Sequence, residues 1–184
     1  MPGPAPGDVV RRDVESHMKI LFVCTGNTCR SPMAEGIFRK MLQDLRQEEK
    51  VLCQSAGLSA VDGMPVSENA VLACREVGVD ISEHTARRIT GEELPVWDLY
   101  FPMSKTHGYI LEQAGVPQTK IYIPKYIDYP FGQDLEVYRE CRDKLTSQRE
   151  QFNQSYVSRL VVFDHTLQPV SREGNPREGY GLVP

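Results

Sequence analysis

The sequence predicts an α/β fold: a single-domain, parallel, four-stranded sheet with helices on both faces. Two observations carry this. Short apolar runs alternate with longer stretches of helical period from Lys19 to Glu150, the pattern of βαβ units around a parallel sheet. The first run is also apolar without interruption, as a strand buried on both faces requires.

That run is Lys19-Ile-Leu-Phe-Val-Cys24, and it reads as the first strand. After a Gly/Asn/Thr break, Met33, Ile37, Phe38, Met41 and Leu45 recur at helical spacing. Ser31 before Pro32 reads as a cap followed by Pro at the first helical position. Residues 51–55 read as a second strand, followed by a loop and a helix over about 67–76. Residues 98–103 read as a third strand and 107–113 as the next helix. Residues 120–123 read as the fourth strand and 134–150 as a long polar helix.

The ends fall outside this pattern. Residues 1–17, rich in Pro, Gly and charge, read as a disordered leader, with Met18 as an alternative start. The domain is placed at 18–150. Residues 151–184 form a C-terminal extension whose one apolar run is Leu160–Phe163.

Composition excludes several roles. The chain has 184 residues, 21 Lys plus Arg against 25 Asp plus Glu, and a formal net charge of -4. That balance speaks against general binding to nucleic acid or to an anionic membrane surface, so an anion must be met by a local site. The apolar run Ile20–Cys24 is far too short to span a bilayer. Five cysteines, an odd count without framework spacing, point to free thiols in a reducing cytoplasm. No His, Cys, Asp and Glu cluster has metal-ligand spacing, and no cofactor is expected.

The chemistry concentrates in Cys24-Thr25-Gly26-Asn27-Thr28-Cys29-Arg30-Ser31, between a strand and a helix. Only Cys24 has an Arg six residues on; the other cysteines meet Glu35, Ser59, Asp80 and Ser147 there. A thiol at a strand end, a small polar loop and a helix start bring several backbone N–H groups to one point. Such a nest suits a phosphoryl group and favours a thiolate. The planar fork of Arg30 can hold two phosphate oxygens, and the Ser31 hydroxyl can stabilise the departing thiolate. This set suits two-step phosphoryl transfer through a thiophosphate, without a metal.

The stretch Ile20-Leu-Phe-Val-Cys-Thr-Gly-Asn-Thr-Cys-Arg-Ser-Pro-Met-Ala-Glu35 resembles the low-molecular-weight protein tyrosine phosphatase family. The resemblance continues through Gln54–Gly57, Gly78–Arg87, Asp98–His107 and Pro130–Gly132. It implies Cys24 as nucleophile, Arg30 as phosphate ligand, and Ser31 as assistant to Cys24. Asn27 would hold the loop's shape through Ser55 and His84, and Cys29 would form a reversible disulfide with Cys24. Phosphorylated proteins are the implied partners.

The general acid departs from the family pattern, which places Asp directly before Pro. Here the order is Asp128-Tyr129-Pro130-Phe131, so Tyr129 stands where the acid is expected. Asp128 is favoured as acid through a bulged loop, with Tyr129, Asp134 or no acid at all as alternatives. Thr28 resembles the protein-arginine phosphatase branch, and Phe131 can stack on a phenyl or a guanidinium plane. The expected activity is hydrolysis of phosphotyrosine or phosphoarginine in proteins. Arsenate reduction and a weakened phosphoprotein-binding module are the alternatives. His107 reads as a helix-start residue, Arg87 and Arg88 as a solvated helix end, and Trp97 as core edge.

Overall fold

The computed structural model describes residues 18–125 and 127–157. The proposed leader and the extension beyond residue 157 lie outside the described residues. The chain divides into two compact units, residues 1–151 and 152–184.

Three strands form a parallel sheet: β1 (Met18–Cys24), β2 (Val51–Gly57) and β3 (Leu99–Pro102), in the order β2-β1-β3. β1 is central. Met18 pairs with Val51 and Cys24 with Gly57 on one side, and Ile20 pairs with Leu99 through Val23 with Pro102 on the other. Residues 20–24 of β1 are all buried, which is why that run carries no polar alternation. Its two faces meet different partners. Phe22 packs against Phe38 of α1 (Arg30–Asp44), ring centroids 5.5 Å apart, and against Phe101 at 5.3 Å. Leu21 and Val23 face the other way, into a cluster with Ala56, Trp97, Tyr100, Val116 and Leu111. Leu111 belongs to α3 (Lys105–Gln113), so helices cover both faces. The remaining helices are α2 (Glu68–Arg75) and α4 (Leu135–Phe152).

The fourth predicted strand is not formed, and the sheet has three strands among the described residues. The run at 120–123 contributes one parallel bridge, Tyr100 with Ile121, with the Tyr122 N–H donating to the Tyr100 carbonyl at 2.9 Å. A 3₁₀ turn over Gln118–Lys120 occupies the front of the run. Pro124, which has no N–H, closes its far end. β3 itself stops at Pro102. Two prolines thus leave room for a single rung.

The start of α1 also differs from the sequence reading. Helix geometry begins at Arg30 with Cys29 as cap, one turn position ahead of Ser31. Pro32 sits in the first turn, where N–H groups lack helical acceptors anyway, so the early start costs no hydrogen bond. Ser31 is thereby released from capping. Because β1 has β2 on one side and β3 on the other, the loop leaving its carboxyl end opens at a switch point of the sheet. Open α/β sheets bind ligands in that crevice.

Glu76, just past α2, accepts hydrogen bonds from Arg139 and Arg142 of α4 at 2.6 to 3.1 Å. Those bonds depress its carboxyl pKa from 4.5 to about 2. A depressed acid stabilises the fold above its unfolded value, and the contribution is lost as pH falls from 4.5 toward 2. We expect Glu76→Gln to flatten the acid side of the urea midpoint plotted against pH in that window, with a small effect at pH 7. An unchanged acid limb would mean that the network is without consequence for folding.

Candidate active site

The loop from Cys24 to Arg30 is built around a buried asparagine. Asn27 is fully buried and takes φ 55°, a left-handed conformation that Asn tolerates better than most residues. Its amide orientation follows from its neighbours. The Arg87 backbone N–H donates to Asn27 Oδ1 at 3.0 Å, so Nδ2 must face the other two partners. Nδ2 donates to Ser31 Oγ at 2.8 Å and to Ser55 Oγ at 3.0 Å. The Asn27 carbonyl accepts from His84 Nε2 at 3.0 Å.

The direction of each hydrogen bond then propagates. Ser31 Oγ already accepts from Asn27, so its own proton is available to Cys24 Sγ, 2.8 Å away. The Asn27 backbone N–H also donates to that sulfur, at 3.2 Å. Two donors therefore converge on Cys24, in a pocket where the residue is 3% exposed. Ser55, filled from Asn27, donates to Glu35 Oε2 at 2.6 Å. The Glu35 carboxylate also accepts from Arg39 at 2.7 Å. The chain of donors thus runs outward from Asn27 in two directions, to a thiol and to a carboxylate.

Neighbouring elements hold the rest of the loop. The Ser67 N–H, at the start of α2, donates to the Thr28 carbonyl at 2.9 Å. Cys29 Sγ lies 3.3 Å from the Tyr138 hydroxyl on α4, which also accepts from Ser67 Oγ at 2.8 Å. Gly57 must be glycine: a Cβ there would stand 2.5 Å from the Thr25 carbonyl and 3.1 Å from the Asn27 nitrogen. Thr25 is exposed, Gly26 and Thr28 are half-buried, and Cys29 is buried.

Arg30 is 6% exposed, and its Nε has no hydrogen-bond partner among the described residues. An unpaired buried donor on a cation at the mouth of an N–H-lined loop is what an anion would satisfy. The guanidinium carbon lies 4.7 Å from the Tyr129 ring centroid. Tyr129 in turn stacks on Phe131, with centroids 6.0 Å apart and planes 19° from parallel. Both rings are more than half exposed.

The loop that carries them is anchored by α4, where Gln148 exchanges two 3.0 Å hydrogen bonds with the Lys125 backbone. Ile127 is buried in the same segment. Tyr129 lies over Arg30, whereas Asp128 is ion-paired with Lys144. That bond raises the Lys144 pKa. Asp134 accepts from the Val137 N–H at 3.3 Å, in the first turn of α4. Desolvation, and then the nearby Cys29, raise the Tyr129 pKa.

The structure thus brings Cys24, Asn27, Arg30, Ser31, Ser55, His84 and Tyr129 together, and engages Asp128 with Lys144. The described residues contain no His, Cys, Asp and Glu group that could hold a metal.

Against this geometry the comparisons are specific. The profile of the low molecular weight phosphotyrosine protein phosphatase family matches residues 19–160. The chain belongs to that family. The protein-arginine-phosphatase of Bacillus subtilis is 34% identical over 137 residues, covering 70% of this chain and 89% of the relative. Arsenate reductase 1 of Staphylococcus epidermidis is 32% identical over 136 residues, covering 72% and 93%. The low molecular weight protein tyrosine phosphatase from T. tengcongensis superposes with a TM-score of 0.70 at 35% identity, covering 75% of this chain and 99% of that one.

Membership explains the strand–loop–helix at the switch point. Sequence reasoning missed the support from Ser67, Tyr138 and the Arg87 N–H. Those contacts run through backbone groups or across 60 or more residues of chain, as with Arg87 to Asn27. Tyr138 lay in the sequence as one apolar position of a polar helix, its only signal. Arg87 pairs with Glu93 at 2.9 Å, so its charge is already engaged.

Asn27→Ala would leave the Ser31 and Ser55 hydroxyls without their donor and orphan the Arg87 N–H. We expect a loss of at least about 2 kcal/mol in unfolding free energy. Loss of affinity for inorganic phosphate should accompany it in calorimetry. Full stability together with full phosphate affinity would show that the loop keeps its shape without this amide.

Proposed function

We propose that this protein hydrolyses phosphotyrosine or phosphoarginine in proteins by covalent catalysis at Cys24. The observation that carries the reading is the pairing of a two-donor thiol with a buried arginine whose Nε awaits a partner. Cys24 attacks phosphorus, and the side chain leaves with a proton. Water then attacks the thiophosphate, returning phosphate and the free thiol. Arg30 and the loop N–H groups from Thr25 to Ser31 carry the equatorial oxygens. Asn27, Ser55 and His84 hold the loop in shape, and Ser31 stabilises the sulfur as it leaves. Cys29, buried in the same loop as Cys24, is proposed as its redox partner.

Tyr129 and Phe131 offer two exposed, stacked rings beside the guanidinium. A flat substrate group, phenyl or guanidinium, fits such a rim. Thr28 supplies a small polar wall compatible with the second.

Asp128 is proposed as the proton donor, on the condition that it leaves Lys144. An ammonium partner favours the ionised carboxylate, whereas a general acid must hold its proton until the leaving group needs it. Tyr129 is the rival, since a phenol of raised pKa is protonated at neutral pH.

The arsenate-reductase alternative requires relay thiols that attack readily. Cys53, Cys74 and Cys141 are buried, with pKa values raised to about 11, 12 and 12 by desolvation, which weighs against it. The phosphatase domain is proposed to span residues 18–150, and the odd cysteine count without framework spacing supports a reducing, cytoplasmic setting.

Turnover of phosphotyrosine and phosphoarginine peptides, with Cys24→Ser as control, tests the function. Activity that survives Cys24→Ser would exclude the covalent route. Peptide binding without turnover would instead favour a binding module, and arsenate-dependent thioredoxin oxidation would favour the reductase.

For the acid, Asp128→Asn should slow poor leaving groups by roughly 10²–10⁴-fold. Tyr129→Phe should matter less. The reverse ranking would transfer the role to the Tyr129 phenol.

A further inference from the structure

His107, the third residue of α3, is 6% exposed and bonded at both ring nitrogens. Nδ1 lies 2.7 Å from Ser104 Oγ, and Nε2 lies 2.8 Å from Thr25 Oγ1. Burial, and then the Arg30 charge, lower its pKa to about 4. The ring is therefore neutral near pH 7 and carries one proton.

Two serine contacts bear on which nitrogen holds that proton. Ser104 Oγ accepts the His107 backbone N–H at 3.2 Å, as the cap of α3. Its own hydroxyl hydrogen has one remaining partner among the described residues, Nδ1. With that hydrogen turned to Nδ1, the ring proton sits on Nε2 and Nε2 donates to Thr25 Oγ1. The Thr25 oxygen is then engaged as an acceptor while its hydrogen stays uncommitted. No other side-chain partner of Thr25 is present among the described residues. Thr25 is exposed and immediately follows Cys24 in the loop.

We propose that His107 is a positioning residue: it orients the Thr25 hydroxyl as an additional hydrogen-bond donor to the phosphoryl oxygens held in the loop. This rests on the phosphatase reading above and adds a donor to it. The cap Ser104 sets the tautomer, the tautomer sets the direction of the Thr25 bond, and that direction presents a hydrogen to an anion. The opposite tautomer would make Thr25 a donor to the ring and present a lone pair to a phosphate, which is repulsive.

The two amide replacements of histidine separate these roles. In His107→Gln the amide nitrogen can occupy the place of Nε2. In His107→Asn the amide reaches only the Ser104 side. The variants His107→Gln, His107→Asn, Thr25→Ser, Thr25→Val and His107→Asn/Thr25→Val are compared by kcat and KM on the peptide that the wild type turns over. Affinity for inorganic phosphate is measured in parallel by calorimetry, and thermal unfolding verifies folding.

We expect Thr25→Val and His107→Asn to lower kcat/KM by about 10- to 100-fold and to weaken phosphate binding. His107→Gln and Thr25→Ser should recover most of that loss, and the double variant should be no worse than the poorer single one. Wild-type kinetics in Thr25→Val, or additive losses in the double variant, would overturn the inference. Should His107→Asn fail to fold, Thr25→Val on the exposed residue decides alone. A wild type that binds phosphate without turnover would sink the phosphatase reading. The phosphate affinities of the same variants would still judge the role of His107.

Discussion

The Asn27 amide is committed to three partners at once: it accepts from the Arg87 N–H and donates to Ser31 and Ser55. Two hydroxyls of the site inherit their direction from that commitment. Ser31 turns its hydrogen to Cys24 because its acceptor side is filled, and Ser55 turns to Glu35 for the same reason. The left-handed backbone at Asn27 then points its own N–H at the sulfur. A buried polar network of this kind is favourable only when each member is satisfied, so it is all-or-none in character. That gives the loop one shape, ready before an anion arrives.

Charge is distributed with the same economy. The chain is net acidic, yet an anion in this loop meets Arg30, a helix start and oriented N–H groups. Burial, and then Arg30 itself, lower the pKa of His107, so that ring adds no second positive charge near pH 7. An aromatic ring, not a carboxylate, faces the cation here: Tyr129 covers the Arg30 guanidinium, and Asp128 answers Lys144. The two rings and the Asp128–Lys144 pair thus lie in one segment, and the buried Asn27 network lies in another.

Much of this was legible in the residues. The uninterrupted apolar run ending at Cys24, the small polar loop and the helical period after Arg30 are local patterns, governed by backbone geometry and solvent exposure over a few residues. Two features read less well for physical reasons. Residues 120–123 have strand-like composition, but strand pairing depends on what lies alongside, and prolines at 102 and 124 leave one rung. Ser31 has cap-like chemistry, but an earlier helix start frees it for the thiol.

By itself, the sequence determined the α/β class, the order of elements, and the placement of a thiol and an arginine on either side of one turn. These follow from periodicity and from spacing within a single strand–loop–helix. Only the tertiary structure decided which way the Asn27 amide, and with it the Ser31 and Ser55 hydroxyls, point. It also decided that Tyr129, rather than Asp128, lies over Arg30, and that His107 reaches Thr25. Such directions depend on partners such as Arg87, Ser104 and Lys144, brought to the loop from distant parts of the chain by packing. A hydroxyl turns its hydrogen toward one neighbour when another already fills its oxygen.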